Sequence, residues 1–89
     1  MPTLATFFGI VVSMYFRDQG EHHAPHVHVW YQGETAVYRI PDGAVLSGAL
    51  PRRAAKLVEG WIALREAELM AAWYLAANGE HPGKVEPLR

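Results

Sequence analysis

His26-Val27-His28-Val29-Trp30-Tyr31-Gln32-Gly33-Glu34-Thr35-Ala36-Val37-Tyr38-Arg39-Ile40 reads as two strands and the turn between them. Val27, Val29 and Tyr31 alternate with His26, His28 and Trp30, so each set occupies one face of a strand over 26–31. Thr35 to Ile40 repeats the β-branched and aromatic pattern of a strand. Gln32-Gly33 between them suits a two-residue hairpin loop. That loop sets the register by counting outward. Tyr31 faces Glu34, Trp30 faces Thr35, His28 faces Val37 and His26 faces Arg39.

Upstream, Phe7 to Arg17 alternates as well and is expected to be one strand. Phe8, Ile10, Val12, Met14 and Phe16 would form its apolar face. Ser13, Tyr15 and Arg17 would point the other way, toward the histidine side. Met1 to Thr6 reads as a lead-in, with Pro2 opposing regular structure. Downstream, Pro41-Asp42-Gly43 is a turn, and residues 44–46 suit a short fourth strand.

From Pro51 the spacing changes from two to three and four. Ala54, Leu57, Val58, Trp61, Leu64, Leu69, Trp73 and Ala76 mark a helical stripe that ends near Asn78-Gly79. An unbroken helix over 51–77 would be about 40 Å long at 1.5 Å per residue, too long for so small a domain. The pattern predicts a break between residues 63 and 66, giving helices 51–63 and 66–78. Glu66 and Glu68 fall in the first turn of the second, where acidic residues are favoured. Residues 80–89 form an extended tail that Val85 and Leu88 would pin. The expected fold is α+β over a single domain, 1–89. It has a three- to four-stranded antiparallel meander and two helices packed on one face, leaving the His26, His28 face open.

The chain's 89 residues carry 8 Lys and Arg against 9 Asp and Glu, a net charge of −1, which disfavours a general nucleic-acid binder. With no cysteine, disulfides, thiolate zinc sites and cysteine nucleophiles are excluded, in keeping with a cytoplasmic protein. The apolar run from Leu4 to Phe16 is shorter than the roughly 20 residues a membrane span needs. It also lacks the basic start and cleavage site of a secretion signal.

Four of the five histidines lie within residues 22–28, and three readings of them compete. As a metal site, His22, His26 and His28, helped by Glu21 or Asp18, would hold Zn²⁺ or another divalent transition metal. Arg39 beside His26 would oppose a cation there. As a catalytic site, His26 and His28 would be general acid and base on an anionic ester such as RNA, with Arg39 or Arg17 holding the phosphate. The run His-Val-His-Val-Trp resembles part of the motif of the histidine-triad nucleotide hydrolases, with Trp30 in place of the third histidine. In a purely structural reading the histidines hydrogen-bond in a turn and pack on Trp30 and Tyr31, which also suits a protein interface.

Arg52, Arg53 and Lys56 form a second candidate, at the start of the first helix. Cations are mildly disfavoured there, so the cluster would suit an anion or an acidic partner. The plainer alternative is a solvated face with Lys56 paired to Glu59.

Several pieces together resemble a known family. They are Pro2-Thr3, Phe8-Gly9-Ile10, Met14-Tyr15-Phe16, Glu21-His22, Pro25-His26-Val27-His28-Val29 and Tyr31. Leu50-Pro51-Arg52-Arg53-Ala54, Trp61, Glu68-Leu69, Trp73 and Glu86-Pro87-Leu88 extend the match. The resemblance is to domain-of-unknown-function family 4160, whose usual Pro-Pro-His-Phe-His is altered here at Ala24 and Val27. It implies a small cytoplasmic bacterial protein whose partner, encoded by an adjacent gene, completes a toxin–antitoxin-like or regulatory pair. A homo-oligomer is the other expectation, because so small a chain is marginal alone. The resemblance carries over no reaction, so whether the chain is an enzyme stays open.

Overall fold

The computed structural model describes residues 2–17, 20 and 23–89. Five strands form one antiparallel sheet in sequential order: β1 (Thr3–Phe7), β2 (Ile10–Ser13), β3 (His26–Tyr31), β4 (Glu34–Arg39) and β5 (Val45–Gly48). Helices α1 (Arg52–Leu64) and α2 (Glu66–Ala77) follow. The architecture is therefore α+β, with five strands where three or four were expected.

The extra strand comes from the segment read as one strand over 7–17. It turns back on itself at Phe8-Gly9, where φ is 50° and 78°. Two consecutive left-handed residues make the tight turn whose twist matches the flanking strands. The alternation rule missed it because Phe in a left-handed position is a poor turn signal. The hairpin pairs Phe7 with Ile10, so these two share the core face and Phe8 swings outward, 61% exposed. The supposed lead-in is thus an edge strand with Leu4 fully buried. Gln32-Gly33, at φ 47° and 82°, makes the second turn of this kind.

Most of the expected helical stripe is buried, but Leu57 is only partly so, and Leu64, the last residue of α1, lies 67% exposed where the helix ends. Ala54, Val58, Trp61 and Ile62 serve α1; Leu69, Ala72, Trp73 and Ala76 serve α2. Their spacing is that of one helical face. Against them lie Ile10, Val12, Val27, Val29, Ala36 and Tyr38 from the sheet. Phe7 and Trp61 meet with ring centroids 5.3 Å apart. Each large side chain so buried contributes about 1.5–3 kcal/mol of transfer free energy. The break between the helices falls at Arg65 (φ −112°, ψ 23°), whose N–H still donates to Trp61 O at 2.9 Å.

The tail closes the outer edge of β1. Val85 N–H donates to Leu4 O at 3.0 Å, Lys84 Nζ to Thr3 O at 3.0 Å, and Trp61 Nε1 to Glu86 O at 2.8 Å. Val85 is buried and Leu88 partly so. At the other end of the sheet β5 is short and carries a register shift opposite Val37 and Tyr38. Short, irregular edges resist pairing with foreign strands. Among the described residues, no helix is long and apolar enough to cross a membrane.

Candidate functional site

The β3–β4 ladder has the register counted from the Gln32-Gly33 turn: Tyr31 with Glu34, Trp30 with Thr35, His28 with Val37, His26 with Arg39. On the other side of β3, Ser13 pairs with His28 and Val11 with Trp30. These pairings gather Val11, Ser13, Tyr15, His28, Trp30 and Val37 around a groove of about 530 Å³ on the open face of the sheet. The Tyr15 ring stacks on His28 at 4.1 Å with an interplanar angle of 22°. Trp30 is 48% exposed, a large aromatic left in water on a sheet that buries its other face.

His26 departs from the expectation. Strand parity places it beside His28 on the open face, yet it is 1% exposed. Its ring lies 5.0 Å from Trp73 of α2 and 5.2 Å from His28. The cause is the path of the chain at this end of the sheet. The last turn of α2 accepts a hydrogen bond from Arg17 N–H at Ala76 O, 2.9 Å, just past β2. Trp73, one turn earlier in the same helix, is the side chain that packs on the His26 ring. His26 Nδ1 donates to Ala24 O at 2.7 Å. A carbonyl can only accept, so this hydrogen bond requires the proton on Nδ1.

The basic residues proposed to hold an anion do not converge on the histidines. Arg39 is opposite His26 in the ladder, but its guanidinium turns to Asp42. Nε donates to Oδ1 at 3.0 Å and Oδ2 at 3.1 Å, and Nη2 closes on Oδ2. Asp42 also accepts from Ala44 N–H at 3.2 Å. The Arg39 hydrogen bonds first, then the Ala44 N–H, hold the Asp42 carboxyl down at about 2. Arg17 sits against Gly79 at the C-terminal end of α2, where a cation is favoured. Arg52, Arg53 and Lys56 lie on the first turns of α1 and line a separate groove with Leu57. Lys56 makes no ion pair with Glu59.

Asp18, Glu21 and His22 lie outside the described residues. Among those described, no three His, Asp or Glu side chains are grouped so as to hold a metal ion. Of the expected ligands, His26 and His28 are described, with ring centroids 5.2 Å apart.

Three contributors were not anticipated. Ser47 reaches the groove because β5 adds a strand beyond β4, in a register that depends on a bulge. Trp73 covers His26 from a helix whose sequence stripe marks it only as apolar. Tyr38, on the core face, buries a hydroxyl with no hydrogen-bond partner among the described residues. Burial first, then the Glu59 carboxylate, raises its pKa.

Comparison with known proteins places the chain in a family. No curated protein and no solved structure matches the chain. Residues 9–74 match the family described as a domain of unknown function, DUF4160, a span from the first hairpin turn into α2 that takes in β3, β4 and the groove. The chain belongs to that family.

Proposed function

We propose that this protein is a partner-binding module, and that the open sheet face around Trp30 is the contact. The observation that carries this reading is the half-exposed Trp30 beside a groove of about 530 Å³, lined mainly by apolar and aromatic side chains. Aromatics of this kind are the usual anchors of protein interfaces. The resemblance adds a candidate partner, a small protein encoded by an adjacent gene in a toxin–antitoxin-like or regulatory pair in a bacterial cytoplasm. The test is co-expression with the adjacent gene product, followed by affinity measurement. Trp30→Ala should weaken the complex by about 2 kcal/mol or more, roughly 30-fold, with the fold intact. Stable, separate monomers at micromolar concentration would overturn the proposal.

A histidine-dependent phosphodiesterase is the second reading, favoured by one observation: Ala24 O fixes the His26 tautomer 5.2 Å from a second imidazole. Against it, Arg39, the expected phosphate ligand, is engaged by Asp42. RNA cleavage that disappears in His28→Ala, with unchanged thermal stability, would establish it.

A further inference from the structure

A second surface lies away from the sheet-face groove and shares no lining residue with it. Phe8, Tyr31, Arg53 and Leu57 line a groove of about 330 Å³, and Arg52, Arg53, Lys56 and Leu57 line another of about 510 Å³. Arg53 and Leu57 line both, so the two adjoin: Phe8 and Tyr31 lie at one end, and at the other the aliphatic stems of Arg52, Arg53 and Lys56 form the wall below their charged groups.

Tyr31 and Leu57 pack partly against the core and the Phe8 ring meets Phe7 edge-on at 6.5 Å, which leaves the cations and the outer side of Phe8 to explain. The first turn of α1 contains no acidic residue, and its cations face the positive end of the helix dipole. No ion pair or side-chain hydrogen bond joins Arg52, Arg53 or Lys56 to another of the described residues. Glu34, across the ladder from Tyr31, and Glu59, one turn beyond Lys56, leave them unneutralised. Three cations with no ion pair among the described residues, on a chain with net charge −1, form a local field opposite to the whole. Phe8 completes the case. It occupies a left-handed turn position that Asn or Gly fills at lower cost, and it remains 61% exposed.

We infer that this pair of adjoining grooves docks an acidic protein segment that carries an apolar anchor residue. Carboxylates would pair with Arg52, Arg53 and Lys56 while the anchor rests on Phe8, Tyr31 and Leu57. A nucleic-acid strand fits less well. Three phosphate contacts supply little affinity at physiological salt, and the groove's other end offers apolar surface. The inference goes beyond the sheet-face proposal and stands or falls separately from it.

The test uses the full chain, isotope-labelled for NMR, titrated with the synthetic decapeptide EEDEFLDEED. Controls are the same peptide with Ser-Ser in place of Phe-Leu, and polyuridine. Binding of the first peptide should shift the Phe8, Gly9, Arg53 and Leu57 amides and weaken as salt is added. The Arg52→Glu, Arg53→Glu double variant should weaken it roughly tenfold or more, and Phe8→Ser by about fivefold. Trp30→Ala should leave it unchanged. The inference is overturned by no shifts at millimolar peptide. It is also overturned by shifts confined to other residues, by equal binding of the Ser-Ser peptide, or by tighter binding of polyuridine at the same amides.

Discussion

The rings of His26 and Trp73 meet 5.0 Å apart, a contact between the first residue of β3 and the middle of α2. It converts a histidine that strand parity assigns to the open face into a packed residue. Its neighbour His28 keeps its place on the groove, stacked on Tyr15.

The two histidines should therefore respond differently to substitution. Trp73→Ala is expected to cost about 3–5 kcal/mol, as for other buried tryptophans, and His26→Ala about 2 kcal/mol. His28→Ala, at a partly exposed site, should cost less than about 1 kcal/mol. Urea unfolding of the three variants measures this. Equal losses for His26→Ala and His28→Ala would show that His26 is not a packing residue. In any functional assay, loss of activity in His26→Ala then needs a stability control, whereas His28→Ala is a clean probe.

Tyr38→Phe removes a buried hydroxyl that has no hydrogen-bond partner among the described residues. Deleting an unsatisfied polar group is neutral or stabilising, so the variant should equal or exceed the parent by up to about 1 kcal/mol. The raised pKa adds a pH signature. Above the ordinary value of 10.0 the unfolded chain releases the Tyr38 proton and the folded chain retains it. Stability therefore falls as pH rises past that value, and this component should be absent in Tyr38→Phe. Melting temperatures of both proteins near pH 8 and above pH 10 provide the comparison.

Asp42 makes the opposite prediction at the acid end. Its carboxyl lies near 2 in the fold against an ordinary 3.8, so the favourable contribution is present above 3.8 and lost as pH falls through about 2. Asp42→Asn should be less stable than the parent at neutral pH, and the two melting curves should converge as pH approaches 2. The pair is exposed, so the gap should be small. A gap that persisted at low pH would refute this assignment.

Gly48 and Gly33 both have left-handed φ, 72° and 82°, but different surroundings. A Cβ on Gly33 would meet open space, whereas one on Gly48 would lie under 3.0 Å from Thr35 O and Ala36 Cα. Gly33→Ala should cost about 1–2 kcal/mol, from conformation alone. Gly48→Ala should cost more, because β4 must also move. Equal values in denaturant melts would mean that β5 yields freely.

Much of the architecture was legible because it rests on local rules. Gln32-Gly33 determined the β3–β4 pairing, since a two-residue loop leaves one register between two alternating runs. The long apolar stripe had to break, and it breaks at Arg65. The Tyr15, His28 and Trp30 side of the groove follows from the same parity. What parity could not reach was decided by contacts between residues distant in sequence. Phe8-Gly9 bends because the whole hairpin and core stabilise a left-handed Phe that its own propensity disfavours. His26 is buried because Trp73 of α2 packs against its ring. Arg39 is drawn from His26 by an aspartate three residues on, in a turn whose geometry the strand pattern does not contain. Sequence periodicity determines which face a side chain starts from; packing at the ends of elements determines what that face meets.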